Sequence, residues 1–531
     1  MFDKVYSSDV TIIGTGIAGL STIYFATSLI RSEREASFTL VSKSPIGYGT
    51  STYYSAAAFR CPVGGYTVDE HLKDTLNAGR YLNRIDLVKI LVQEAVESVL
   101  SLKKIGIEFK VTKGTLRVIA VNDELYPGKE LINKFKEYVR TLRNTKVLEG
   151  CNVADIARYD GGYSIVCILN DGRKVLINTS IIVLATGGIS NIYSRSDNPQ
   201  QLSCDGHAIA LRLGLPLINM EFIQFFPLGI AEPGRYPFMI PFTKGKLVNR
   251  LNEDVISKYG LGSLSKAIVY HRDALSIAII NEVKRGLGVD DALSLYPELD
   301  LSDELNRLAS LLMMKLGLRS PIKVLPTAHF SMGGIEVDAH SKTMFGDLYA
   351  VGEVSGGIHG ANRLGGNALT ACIVFARRAA YDIVGKLALG DVTTPNHITS
   401  EPIHDVLSKL GYRQGSCNPS RLLDEVRTLM WSNAGVIRSK DGLNYCINHL
   451  ERIYERSKSV SIQSLVDLID YLKLENILTI AQVVALASLL RSESRGSHFR
   501  ADYPNEDPHW LKIIKVTYRD GRIVNEMVTP S

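Results

Sequence analysis

From Val10 to Ile30 the chain reads VTIIGTGIAGLSTIYFATSLI, without one charged side chain. As a single helix such a run is long enough to cross a bilayer, which takes roughly 20 mostly apolar residues. Its pattern divides in two, however. Val10–Ile13 is a short β-branched run of the kind that forms a buried strand. Gly14, Gly16 and Gly19 follow with GxGxxG spacing, then a helix-compatible segment from Leu20 to about Arg31, then a second apolar strand at Phe38–Val41. Strand, glycine turn, helix and strand is the order that dinucleotide binding requires. The first glycine makes the turn, the second lets the backbone approach a pyrophosphate, and the third lets helix and strand pack closely, with the helix N-terminus facing the phosphates. In a plain membrane helix the same glycines would only cost stability.

Later segments continue the pattern. VLINTSIIVLATGG (175–188) is strand-like and ends on Ala185, Thr186, Gly187 and Gly188; TMFGDLYAVGEVSGG (343–357) is another strand, running into Gly352 and Glu353. Each places glycines where the backbone must come close to something. An acid that would take the adenosine ribose of NAD is missing, since the second strand ends in Ser42 and Lys43. That favours FAD, with Glu353 on its ribityl chain. Residues 217–323 read as an insertion, with clustered Pro and aromatics first and helical periodicity later. From about 401 the pattern is helical, with apolar residues at i, i+3 and i+4. The tail from about 511 reads as a hairpin turning at Asp520–Gly521.

Composition changes this picture little. The 531 residues are 45% hydrophobic and 22% charged, with a net charge of +5, ordinary globular usage that makes no case for nucleic acid. Seven scattered cysteines include no CxxC pair. Iron–sulfur clusters, structural zinc and other metal sites are therefore not expected within the chain, and a reduced, cytoplasmic setting is. The opening segment lacks the basic leader and small-residue cleavage site of a secretory signal.

Three stretches gather polar and cationic groups beside small residues: YHRDALS with Arg272 and Asp273, PTAHFSMGG with His329, and HGANRLGGN with His359, Asn362, Arg363 and Asn367. Singly they have plain explanations, a structural histidine for His329 and a surface ion pair for Arg272 and Asp273. Arg363, between two glycine pairs, suits a bidentate grip on a carboxylate.

Together with GTGIAGL, VSKS, ATGG, DGHAIALRLG, MEFIQF, LYAVGEVSGGIHGANRLGGNAL, MWSNAGVIR and ESRGSHFRADYP, these stretches resemble the fumarate reductase and succinate dehydrogenase flavoprotein subunits, with L-aspartate oxidase as a close relative. The resemblance implies an α/β fold: a Rossmann-like FAD-binding domain (1–216 and 324–395), an inserted α+β capping domain (217–323), a C-terminal helical domain (401–500) and a tail (501–531). It implies FAD contacts at Gly14, Gly16, Ala18, Gly19, Ser42, Lys43, Thr52, Val153, Ala185, Thr186, Gly187, Asp205, Glu353, Ala368 and Leu369. Arg363 and His329 match carboxylate-binding residues, and Arg272 matches the arginine that passes the proton as hydride moves between flavin N5 and a substrate carbon.

The chain departs from the family in three places. The family's QFHP reads QFFP, so Phe226 replaces a substrate-binding histidine. A Thr-Glu pair that supplies a hydrogen bond and a relay carboxylate is replaced by Thr243 and Lys244 in a shortened loop. Ser51 stands where respiratory members attach flavin covalently through histidine, so FAD is expected to be non-covalent. The expected function is FAD-dependent hydride transfer with a small dicarboxylate, fumarate/succinate first. The alternatives are L-aspartate oxidation and a flavin-binding subunit with little catalysis of its own. A separate iron–sulfur subunit or electron carrier is the expected partner. Peripheral membrane attachment would run through that partner, with no transmembrane segment in this chain.

Overall fold

In the computed structural model the opening apolar run is split as its two periods require: strand Lys4–Ile13, then helix Ile17–Leu29. The helix begins three residues before the expected Leu20, because its first turn starts directly after Gly16. It is buried almost all round from Ile17 to Ala26, which accounts for its lack of a polar face. The structure describes residues 2–30, 36–120, 126–159, 161–300, 302–390, 407, 410–519 and 522–529. The expected helix end at Arg31, the domain junction at 395–401 and the turn at Asp520–Gly521 lie outside them.

Strand Lys4–Ile13 pairs in parallel with Phe38–Val41 on one side (Val10 opposite Phe38) and with Lys174–Leu184 on the other (Thr11 opposite Ile182). Thr145–Leu148 extends the sheet beyond Phe38–Val41, also in parallel. Lys174–Leu184 has two partners on its far side. Gly162–Leu169 runs antiparallel to its first half, and Leu348–Ala350 runs parallel to its end. Cys151–Tyr159 closes that edge. The strand ends Val10–Ile13, Phe38–Val41 and 181–184 are buried on both faces, as in a covered parallel sheet; helix Asn367–Leu389 packs on Ile17–Leu29 to cover one of them.

A second layer is an antiparallel sheet in the order Ile223–Ile230, Ile322–Ser331, Leu293–Pro297, Gly245–Val248. Helix Arg272–Lys284 packs on it around Phe226, Leu228, Leu275, Ile279 and Val324. Strand Ile322–Ser331 runs past residue 323 and carries His329 near its end.

Helices Pro419–Ala434, Lys440–Ser457 and Leu465–Leu490 pack against one another. The last is long and apolar enough to cross a membrane, yet 67% of its most apolar window is buried in the protein. Strands Ile513–Arg519 and Arg522–Val528 pair antiparallel and join Leu217–Ile218 and Gly334–Ile335 in one sheet. A buried ionic knot ties this end to the body. Arg491 Nε donates to Glu221 Oε1 at 2.7 Å and Nη1 to Glu493 Oε1 at 2.9 Å, with Arg491 and both carboxylates fully buried. The ESRGSHFRADYP stretch thus serves structure in this region.

Candidate active site

Strands Lys4–Ile13, Phe38–Val41, Lys174–Leu184 and Leu348–Ala350 are mutually parallel and finish at one edge, where ligands of open α/β sheets bind. A cavity of about 450 Å³ opens there, lined by Ile13, Val41, Ala185 and Val351 at the strand ends and roofed by the second layer.

At the dinucleotide end Gly14 has φ +114°, and a Cβ there would stand 2.2 Å from the carbonyl oxygen of Ala185. A Cβ on Gly19 would stand 2.0 Å from the Gly14 oxygen, so Gly19 serves helix–strand contact and does not line the cavity. Gly16 caps the helix with no side-chain partner, and a Cβ on it would meet nothing closer than Thr52 Oγ1 at 3.6 Å. Thr52 Oγ1 accepts the Ile17 N–H at 3.0 Å. A carboxylate does reach this end, from elsewhere in the chain. Asp205, in the first turn of helix Asp205–Arg212, pairs with Lys43 at 3.0 Å, and Lys43 also donates to Ser203 Oγ at 2.6 Å.

Every residue expected to touch FAD lines this cavity except Gly19. The donor set fits the cofactor. Thr186 Oγ1 is buried without a partner, the helix start at Gly16 is open to an anion, and Glu353 is a half-buried carboxyl pushed up to about 7, by loss of solvent above all.

At the other end the three expected catalytic side chains meet across long stretches of sequence. Arg363 is 8% exposed; its Nη2 donates to Gln224 Oε1 at 2.8 Å, while Nε is buried without a partner. His329 Nδ1 is 2.8 Å from Asp197 Oδ2, leaving Nε2 as the nitrogen free for a ligand. Arg272 opens helix Arg272–Lys284, its Nε donating to the Ile268 carbonyl at 2.7 Å and its guanidinium carbon 5.3 Å from the Phe226 ring centre. Burial, then the like charge of Arg363, pulls Arg272 down to about 9. Burial likewise pulls Arg363 down to about 10, against Glu353 and Asp197. Both guanidiniums stay charged at neutral pH, but each holds its proton less tightly than in water.

Several plainer readings are replaced. Arg272 does not pair with Asp273, whose carboxylate accepts the Ala274 N–H at 2.9 Å. His329 lines the cavity. His359 sits against Phe330, ring centres 5.2 Å apart, held neutral by burial with its pKa lowered to about 3. Asn367 braces His71 (2.8 Å) and Thr75 (2.9 Å). Lys244 pairs with Asp300 and Thr243 donates to Asp303 at 3.0 Å; neither lines the cavity. Two residues that sequence reasoning gave no role hold these side chains: Asp197, which lines the cavity and meets His329, and Gln224, which braces Arg363. The only signals were an acid in SRSDNPQ between two glycine-bearing segments and the glutamine of MEFIQF.

The FAD binding domain family matches residues 9–369, and the fumarate reductase flavoprotein C-terminal family matches 423–528. A fumarate reductase (CoM/CoB) subunit from Methanothermobacter marburgensis is 32% identical over 97% of this chain and 98% of its own. L-aspartate oxidase of Streptomyces coelicolor is 28% identical over 97% and 92%. Among solved structures, E. coli quinol fumarate reductase superposes with a TM-score of 0.88 at 25% identity, covering 99% of this chain and 97% of its own. Mycobacterium smegmatis Sdh1 in complex with UQ1 gives 0.85 at 27% identity, covering 99% and 95%. These matches run along nearly the whole length of the chain, and the chain belongs to the fumarate reductase, succinate dehydrogenase and L-aspartate oxidase family of FAD-dependent oxidoreductases.

Proposed function

We propose that this flavoprotein moves a hydride between N5 of FAD and a carbon of a small carboxylate, with fumarate/succinate as the reference pair. The observation that carries the reading is Arg363: a buried guanidinium with an unpartnered Nε, facing a cavity shared with Arg272 and His329. A buried cation with spare donors needs an anion. Relatives named fumarate reductase support the choice of anion.

FAD, when bound, supplies the hydride donor or acceptor. The chain's own residues do the rest. Arg363 grips a carboxylate with its fork, held in place by Gln224. His329, its Nδ1 committed to Asp197, turns Nε2 to the same ligand. Arg272 gives or takes the proton at the neighbouring carbon, and its loosened hold on that proton suits the task. FAD is held without a covalent bond, since Ser51 offers no imidazole. Among the described residues no group of three metal ligands exists. In this reading electrons arrive from a separate iron–sulfur subunit or a reduced carrier, and the chain is a peripheral partner of that donor.

The test is anaerobic. Holoprotein reduced with dithionite should be reoxidised by fumarate, with succinate as product. Rapid peroxide formation with L-aspartate in air, and no reoxidation by fumarate, would replace this reading by the oxidase.

A further inference from the structure

The lining that region 217–323 gives the cavity is almost wholly apolar. Every described residue that region 217–323 contributes to the cavity is apolar except Arg272. Phe226 is 2% exposed and lies between two catalytic groups, 5.3 Å from the Arg272 guanidinium carbon and 5.8 Å from the His329 ring centre. Polar residues nearby are engaged elsewhere. Thr243 Oγ1 donates to Asp303 Oδ1, Asn306 Oδ1 accepts the N–H groups of Thr243 (3.2 Å) and Lys244 (3.3 Å), and Lys244 pairs with Asp300. Those bonds fasten the N-terminus of helix Glu304–Lys315, capped by Asp303. The fastened helix turns Leu305, Leu308 and Leu312 into the cavity, spaced as one helical face.

The cavity therefore offers a carboxylate Arg363 and His329, while Phe226, Leu305, Leu308 and Leu312 offer carbon. A carboxylate buried against carbon alone is unfavourable, whereas an alkyl or aryl group gains by the same contact. We propose that the substrate is a 2-enoate with a single carboxylate, or its saturated counterpart, whose apolar substituent lies against Phe226 and the helix Glu304–Lys315 leucines. The proposal rests on the hydride-transfer reading above and narrows its substrate class. In the reducing direction one hydride passes from N5 of reduced flavin to the β-carbon and one proton from Arg272 to the α-carbon. The C=C bond becomes single, Arg272 regains its proton from solvent, and two equivalents of a low-potential one-electron carrier return two electrons to the flavin while N5 takes up a second proton from solvent.

The test compares non-reacting and reacting probes on FAD-loaded protein. Calorimetric titration of the oxidised holoprotein should show hexanoate or 3-phenylpropanoate binding at least about tenfold more tightly than succinate. Viologen-reduced holoprotein should be reoxidised faster by trans-2-hexenoate or cinnamate than by fumarate. Phe226→His should move the binding ratio at least about tenfold toward succinate; the parent's own ratio decides the matter if that variant does not fold. Tighter succinate binding with fumarate preferred overturns the single-carboxylate proposal and leaves hydride transfer standing. Binding of neither class, with FAD retained and no probe reoxidising the reduced protein, overturns both.

Discussion

Gln224 holds Arg363 by both ends of its amide: Oε1 accepts from Arg363 Nη2 at 2.8 Å, and Nε2 donates to Asn362 Oδ1 at 2.6 Å and to the Arg363 carbonyl at 3.2 Å. One glutamine from the second layer thus aims an arginine delivered by the first. Arg363→Lys keeps the charge and loses both the fork and this brace. It should lower turnover at least about a hundredfold, or ~2.7 kcal/mol of transition-state stabilisation. Gln224→Leu should cost less and mainly raise KM, because the fork survives but is no longer aimed. Equal losses in the two variants would refute the positioning role.

Arg272→Ala should stop the proton step while the holoprotein still binds a carboxylate. The check is a pair of readings on one sample: a ligand-induced change in flavin absorbance that persists, and steady-state turnover that disappears. Full activity in the variant would show that another group supplies the proton.

Gly14 and Gly16 should fail differently. A side chain at Gly14 collides with Ala185 and faces a positive φ, so Gly14→Val should fold poorly. Gly16 has room for a Cβ in the protein itself. Gly16→Val should stay folded by circular dichroism and lose FAD, because the substituent occupies the path of the pyrophosphate. In the parent protein, acid or heat denaturation should release yellow FAD into the supernatant; flavin left on the precipitate contradicts non-covalent binding at Ser51.

Burial, the largest influence on Glu353, raises its carboxyl from 4.5 to about 7. A raised folded-state value means the folded protein binds that proton more tightly than the unfolded chain. Its contribution to stability is complete below about 4.5 and is lost as pH rises through about 7. FAD-free protein should therefore lose melting temperature between those values, and FAD-free Glu353→Gln should lose less. Parallel pH curves for the two proteins would remove Glu353 as the cause.

Arg491 lies fully buried between Glu221 and Glu493. Arg491→Ala leaves two carboxylates without their cation and should cost about 3–5 kcal/mol in denaturant unfolding, the usual penalty for breaking a buried pair. An effect below about 1 kcal/mol would mean that the pair is not closed in solution.

The nucleotide-binding half was legible locally. Val10–Ile13, the three glycines and the strands at Phe38–Val41 and Leu348–Ala350 announce themselves through periodicity and turn chemistry, which depend on neighbours in the chain. Phe226, Lys244 and Ser51 were visible as substitutions too. What Lys244 does in the fold was decided by packing. Lys244 became a brace for helix Glu304–Lys315 because Asp300 lies within its reach. Asp197 meets His329 across 132 residues and Gln224 meets Arg363 across 139, separations at which no local pattern marks a partner. The long apolar helix Leu465–Leu490 satisfies the composition of a membrane span, and only its burial among other helices accounts for it otherwise. Local conformation follows from adjacent side chains and backbone sterics; the charge partners of a site follow from which surfaces the folded layers bring together, and that is decided by the whole core at once.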